Sequence, residues 1–462
     1  MSRARRPAEE TDVFDAIPPQ LLLTLLVLSP GCVFLGMALL WLSGVKLSEN
    51  TIARLANATY VFCGALVMGL AGSLWWADLA SVSAGSGNWY EVHEFQIPLA
   101  LFVDRLSLPM LGLTAGMTGL IAVFSRRYLH REAGFLRFFL LLHLFAFGCF
   151  LVFAAGSVDL LIGGWEIICV TSTLLVAFFQ QRPEPVKSAL RVFATYRGCD
   201  IGIVTGAFFL HHWAGSTLYQ SVFKGDWPRQ SLAGETLAAG DATIIGLLLL
   251  LGAMGKSAQV PFSGWLPRAM EGPTPSSAIF YGAISVHAGA YLLLRLQPVL
   301  VASPVASGAV VLIGALSAVH GTMVARVASD VKTSLAYSSV SQLGLIFVEI
   351  GLGFSWLPLI HIVGHAVVRT LQFLKAPSAL HEFHHLHAAA GGHLPPTGAH
   401  YGRLLPPRAQ LWLYRLALDR GHHDAIIDRF LTGAPRKFAQ WMNRIERQLR
   451  LTPKIPKESS HG

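Results

Sequence analysis

For its first 375 residues the chain alternates long apolar runs with short polar breaks. The runs are unbroken over about 20 residues and do not alternate every second position, so they read as membrane-spanning helices and not as strands. About eleven spans are predicted, at 20–43, 56–77, 106–125, 137–155, 158–180, 189–211, 241–258, 274–296, 300–325, 334–353 and 356–375. Pro261 interrupts the seventh, which is expected to resume as a short helix toward Met270. Lipid offers the backbone no hydrogen bonds, which leaves helices or a closed barrel. Continuous runs select the first, an all-α polytopic helical bundle. Past Lys375 no span is expected. There, 381–400 is rich in His, Gly and Pro and reads as a loop, and 408–450 spaces apolar residues helically among arginines, a basic amphipathic tail suited to a membrane surface or a partner.

Composition agrees. The chain is 53% hydrophobic and 13% charged, against about 25% charged in soluble domains. The five cysteines, Cys32, Cys63, Cys149, Cys169 and Cys199, are scattered through apolar runs and form no CxxC pair. They read as small buried hydrophobes and not as zinc, iron–sulfur or disulfide ligands. The first apolar run, near Pro19, lacks a small-residue cleavage pattern after it, so no cleavable signal peptide is expected. Arginine-rich loops at 125–137, 180–191 and 325–332 fall on one face, and the loop 78–104, acidic and without Lys or Arg, falls on the other. The positive-inside rule then puts the arginine loops and the C-terminus in the cytoplasm, against the short SRARR near the N-terminus.

Ionisable groups inside spans are costly and usually functional. Here they are Glu166, Arg197, Asp200, Lys256, His287, His320, Lys332, Glu349, His361, His365 and Arg369. Arg197 and Asp200, three apart, can pair. His361, His365 and Arg369, each four apart, share one helix face. Carboxylates, lysines and imidazoles spread over successive spans suit a relay exchanging protons through water. Pro261 should free carbonyls one turn back, near Lys256 and Ser257, and so open a wet gap around the lysine. A phosphate loop at GKS is rejected, because position 250 is Leu where that motif needs Gly. Weaker signals are His381, His384, His385 and His387, and the His422, His423, Asp424 triplet. These read as a solvated loop and a helix N-terminal charge rather than as metal ligands.

LLIGGWEIICVTSTLLVAFF, LLGAMGKSAQVPFSGWLPRAMEGPTPSSA and DVKTSLAYSSVSQLGLIFVEIG resemble the antiporter-like, proton-conducting subunits of respiratory complex I. The resemblance is to the L-type branch, shared with the large subunit of multi-subunit Na+/H+ antiporters, and covers roughly 98–375. It implies a first-channel glutamate at Glu166, a broken-helix lysine at Lys256, a bridging lysine at Lys332 and a histidine pair at His361 and His365. The chain departs from that pattern at Tyr281, where the family has a histidine (one follows at His287), and at Arg369, where it has a lysine. It also departs in having no spans after about Lys375.

A shortened chain with a basic tail is most similar to the membrane subunit of the two-component DAB inorganic-carbon accumulation systems. That resemblance implies three parts: 1–97, N-terminal spans and a loop; 98–375, the ion-translocating core; and 376–462, partner docking. It further implies a bacterial cytoplasmic-membrane protein that couples a proton or sodium gradient to a large cytoplasmic carbonic-anhydrase-like partner. Zinc is expected in that partner and no cofactor in this chain. Lipid and protons or sodium are the other implied partners, and nucleic acid is not. The alternatives are a subunit of a complex I-related or hydrogenase-linked assembly and a self-sufficient antiporter. A stand-alone enzyme finds no flavin, quinone, haem or iron–sulfur signature, and a passive anchor would not need charges in mid-membrane.

Overall fold

The computed structural model describes residues 18–76, 78–92, 95–233, 237–389, 406–423, 427, 429 and 433–450. Its first helices are α1 (Pro19–Leu42) and α2 (Glu49–Trp76). The stretch 78–104, read as a loop, is instead an antiparallel hairpin of β1 (Ser81–Val92) and β2 (Phe95–Asp104), with Ser81 opposite Asp104. Then come α3 (Ser107–Tyr128), α4 (Phe135–Phe153), α5 (Val158–Val176) and α6 (Pro183–Ala214). The turn α7 (Tyr219–Val222) and a two-residue pair, β3 (Phe223–Lys224) with β4 (Ser231–Leu232), lead into α8 (Ala239–Lys256). Short helical pieces α9 (Trp265–Arg268), α10 (Thr274–Ser277), α11 (Ala288–Arg295) and α12 (Gln297–Val301) precede α13 (Pro304–Val327), α14 (Val331–Gly351) and α15 (Trp356–Ala389). The tail contains α16 (Pro407–Leu418), lying against α13, and a helix at Gly433–Arg450.

Helix starts follow local chemistry. Ser157, Ser303 and Asp330 each accept a backbone N–H of the first turn through their side chains. Among the described residues, nine helices are long and apolar enough to cross a membrane. The protein is thus an all-α polytopic membrane bundle. The other two predicted spans, at α6 and α14, are full-length helices that fall outside this group; they carry Arg191, Arg197 and Asp200, and Lys332, Gln342 and Glu349. The eighth predicted span is not one regular helix. Between α10 and α11 it widens into a π-helical turn at Ala278–Ala283 and tightens at Ser285–His287. Its described side chains are all buried, which makes it the centre of the bundle.

Two features set the geometry of the site. Glycines bring helices into contact: a Cβ at Gly344 would stand 2.5 Å from the Gly314 carbonyl, so α14 and α13 touch backbone to backbone. At the end away from the arginine loops, the connections knit into a cap. Leu101 bridges Ala155, Ser157 bridges Leu218, and the Trp227 and Trp356 rings meet edge to face at 4.6 Å. The tail differs from the sequence reading in one respect. Helix α15 runs on to Ala389, so the first nine residues of the His-rich 381–400 stretch are helical and not a loop. The side chains of His381, His384, His385 and His387, and Asp424, lie outside the described residues.

Candidate functional site: buried charges at a broken helix

The break falls before Pro261. Helix α8 ends at Lys256, and Ala258 takes a left-handed φ of 51°. Two of the freed carbonyls meet protein donors. The Trp265 indole donates to the Gly255 carbonyl at 2.9 Å, and the Gln259 amide donates to the Ser257 carbonyl at 2.8 Å. Lys256, Gln259 and Trp265 are all within 1% of complete burial. The turn is packed at these residues, while the Gln259 side-chain oxygen is buried without a hydrogen-bond partner among the described residues. The packing suits the segment because a backbone that has left helical pairing inside a bundle must find partners. Gly255 is required here, since a Cβ would overlap Cys199 of α6.

The lysine does not stand alone. Its Nζ lies 2.9 Å from the Cys169 Sγ, 4.5 Å from the centre of the Tyr196 ring and 5.2 Å from that of Trp165. Cys169 in turn sits 3.7 Å from an Asp200 oxygen, and the Trp165 indole donates to Asp200 at 2.7 Å. Arg197 pairs with Asp200 at 2.7 Å and also with Glu166. Helices α5, α6 and α8 thus bring two carboxylates, a guanidinium, an ammonium and a thiol together at mid-span. Glu166, Cys169 and Asp200 hold one donor atom each within 4.8 Å of one another, as a metal site would. Arg197 already pairs with both carboxylates, so a further cation would have to displace it. That donor set fits exchange better than a resident metal.

The remaining predicted residues form separate groups. His287 and His365 face each other at 2.9 Å, and Arg369 reaches His365 at 3.5 Å. His361, one turn from His365, bonds Glu349 at 2.8 Å and Gln342 at 3.0 Å, so the expected three-residue stripe splits between two partners. His320 lies 3.3 Å from Ser263 beside the break, and the His423 ring of the tail stands 5.0 Å from it. Lys332 contacts Thr274 at 3.4 Å, where Tyr128 also meets Thr274 at 3.1 Å. The Tyr281 side chain lies outside the described residues.

Sequence reasoning missed Cys169, Trp165 and Gln342. It read Cys169 as packing, although its place three residues after Glu166 puts both on one face of α5. It also read the cysteines as uniformly buried, whereas Cys32 is exposed to the surroundings. Arg295 was passed over entirely. It is fully buried at the end of an apolar run and makes two hydrogen bonds, of 2.6 and 2.9 Å, to Asp104.

A polytopic helical bundle with acid–base groups gathered at a broken span defines a class of membrane subunit with a charged interior. Residues 155–391 match the family described as NADH:quinone oxidoreductase/Mrp antiporter, TM, and residues 89–139 match NADH-Ubiquinone oxidoreductase (complex I), chain 5 N-terminus. The chain belongs to this antiporter-like membrane subunit family. It is 33% identical to NADH-quinone oxidoreductase subunit L of Rickettsia felis over 64% of this chain and 46% of that one. It is 32% identical to subunit L of Neisseria meningitidis serogroup A over 76% of this chain and 54% of that one. In structure it is similar to a chain of the Mrp complex from Dietzia sp. DQ12-45-1b, with TM-score 0.63, 27% identity, and coverage of 77% of this chain and 37% of that chain. The chain spans about half the length of the curated relatives it matches.

Proposed function

We propose that this chain translocates a cation, proton or sodium, across a bacterial cytoplasmic membrane as one subunit of a larger assembly. One observation carries the reading: Glu166, Arg197, Asp200 and Lys256 form a charge-balanced group at the end of a broken span. Buried charges are expensive. Here Asp200 and Lys256 are buried and Glu166 and Arg197 half-buried, interleaved with a thiol and two aromatic rings, so an arriving cation would compete with the Arg197 guanidinium for the two carboxylates. The second group, His287, His365, His361 and Glu349, extends the set of proton-holding residues to α11, α14 and α15. Lys256→Ala is expected to lower cation flux of the purified assembly in liposomes roughly 100-fold. Flux at the wild-type rate would end the proposal.

At finer grain, we read the partner as a large cytoplasmic carbonic-anhydrase-like zinc protein, with the gradient driving inorganic-carbon uptake and the C-terminus on the cytoplasmic side. Support comes from the resemblance drawn above and from tail helices that expose Leu411, Trp412, Phe438 and Trp441 among arginines, as a docking surface does. The family membership keeps a second reading in play, a subunit of a complex I-related assembly. Purification of the tagged chain from its native membrane decides between them. A co-purifying zinc protein with carbonic-anhydrase-like sequence supports the first; hydrophilic iron–sulfur subunits support the second and overturn the first.

A further inference from the structure

At the capped end of the bundle, away from the arginine loops, lies a cavity of about 260 Å³. The β1–β2 hairpin, α7 and the turn after β3 enclose it, and Ser81, Asp104, Tyr219, Gln220, Trp227 and Gln230 line it. Three of its polar atoms, the Tyr219 hydroxyl, Trp227 Nε1 and Gln230 Oε1, are buried and find no hydrogen-bond partner among the described residues. Tyr219 and Trp227 are only 2% and 3% exposed. Groups buried this deeply are paired with protein or with water, and at about 30 Å³ per molecule the space takes several waters.

The floor of this cavity connects inward. Asp104, on its wall, is held by Arg295. Arg295 also donates to the Tyr291 hydroxyl at 3.1 Å. Tyr291 and His287 lie four and eight residues before Arg295, so the three repeat at one-turn spacing, and all three are fully buried. His287 then meets His365. Polar side chains therefore recur at one-turn spacing between the paired imidazoles and the cavity, on α11 and the turn before it, and the Tyr291 hydroxyl donates on to the Phe153 carbonyl at 3.0 Å.

Resting on the translocation reading, we propose that this cavity is the water-filled mouth of the ion path on the face opposite the arginine loops, with Asp104 and Arg295 as positioning residues at its neck. Arginine does not lose its proton, so Arg295 holds the Asp104 carboxylate and the Tyr291 hydroxyl in place and is not itself a carrier.

The test uses the purified assembly in liposomes with Cys32→Ser, which removes the exposed native thiol. Gln220→Cys, exposed on the cavity wall, is treated with a membrane-impermeant cationic thiosulfonate from the hairpin side, and labelling is verified by mass spectrometry. Flux is expected to fall severalfold and to recover with reductant, while Asn88→Cys, exposed on the hairpin and outside the cavity, labels without effect. Asp104→Asn is expected to lower flux and Asp104→Glu to restore most of it. A cysteine at 220 that the reagent does not reach, or a labelled protein that conducts at the unlabelled rate, overturns the proposal. Lys256→Ala in the same vesicles separates the two failures. If that change abolishes flux while Gln220→Cys labelling does not alter it, only the mouth is misplaced. If Lys256→Ala conducts normally, the translocation reading falls and the mouth with it.

Discussion

Replacing Asp104 by Asn tests the physics of the buried pair at the neck. The carboxylate accepts two hydrogen bonds from Arg295, at 2.6 and 2.9 Å, and others from the backbone N–H groups of Leu106 and Ser107, at 3.1 and 3.0 Å. Arg295 is 0% exposed and Asp104 3%. Asparagine keeps the shape but has one acceptor oxygen, and its amide donors face those of the guanidinium. The guanidinium is left as a buried charge without its counter-ion. Removing one partner of such a pair costs about 3–5 kcal/mol. The matched replacement, Asp104→Asn with Arg295→Met, removes the stranded charge and is expected to be more stable than Asp104→Asn alone. Thermal unfolding of the purified protein in detergent, followed for both singles and the double, measures this. A single mutant that melts with the wild type, or a double that melts at the sum of the two singles, refutes the reasoning.

The same pair has a pH signature. Burial alone would raise the Asp104 carboxyl, but the Arg295 charge and the hydrogen bonds from Arg295 and Ser107 outweigh it and hold it below the ordinary carboxylate value. A group lowered on folding contributes stability that is complete above its unfolded pKa, about 3.9, and is lost as pH falls through the folded value. The wild type should therefore lose this contribution only below about pH 4, and Asp104→Asn should lack that acid-dependent component.

Two further substitutions probe the packing that frames the site. Trp265→Phe removes the donor to the Gly255 carbonyl and leaves a buried acceptor unpaired, for about 1–3 kcal/mol; an unchanged melting midpoint would show that the carbonyl finds another partner. Gly344→Ala should lower the midpoint, because its Cβ meets the Gly314 carbonyl at 2.5 Å and the Ala318 nitrogen at 2.6 Å, a close approach worth about 1–3 kcal/mol when overpacked. Gly163→Ala, with open space around its Cβ, is the control and should match or exceed the wild type; equal losses in both would refute the packing argument.

The spans were legible because a 20-residue apolar run has few other uses, and the pairing of Arg197 with Asp200 was legible because helical spacing fixes it. What sequence spacing does not carry is which helices face each other. Lys256 and Cys169 are 87 positions apart, and only the packing of α5, α6 and α8 turns a residue read as a small hydrophobe into the lysine's neighbour. The hairpin was missed because β1 carries Gly85 and Gly87 and alternates weakly. Arg295 was missed because an arginine at the end of an apolar run usually reaches out to the membrane surface; here the cap closes over that end and Asp104 meets the side chain inside. The packing around the break at Pro261 was hidden for a related reason. A proline announces a freed carbonyl, yet the sequence does not say that Trp265 and Gln259 fold back to take its place.

That closure bears on how the two groups work together. Lys256 is enclosed by Cys169, Tyr196 and Trp165, and two carbonyls at the break are taken by side-chain donors. On the proposed translocation reading, an ion passes the lysine only when these side chains move, and the contacts that must open are identifiable. The Ser257 hydroxyl donates to the Val286 carbonyl at 2.6 Å, so the residue after Lys256 is tied to the residue before His287. A shift of α8 at its broken end therefore reaches both the Glu166–Asp200 group and the His287–His365 pair. The break acts on this view as a mechanical joint between two acid–base groups. It does so because the Ser257 N–H closes the last turn of α8 on the Ala253 carbonyl at 2.9 Å while its hydroxyl reaches across to the segment that carries His287.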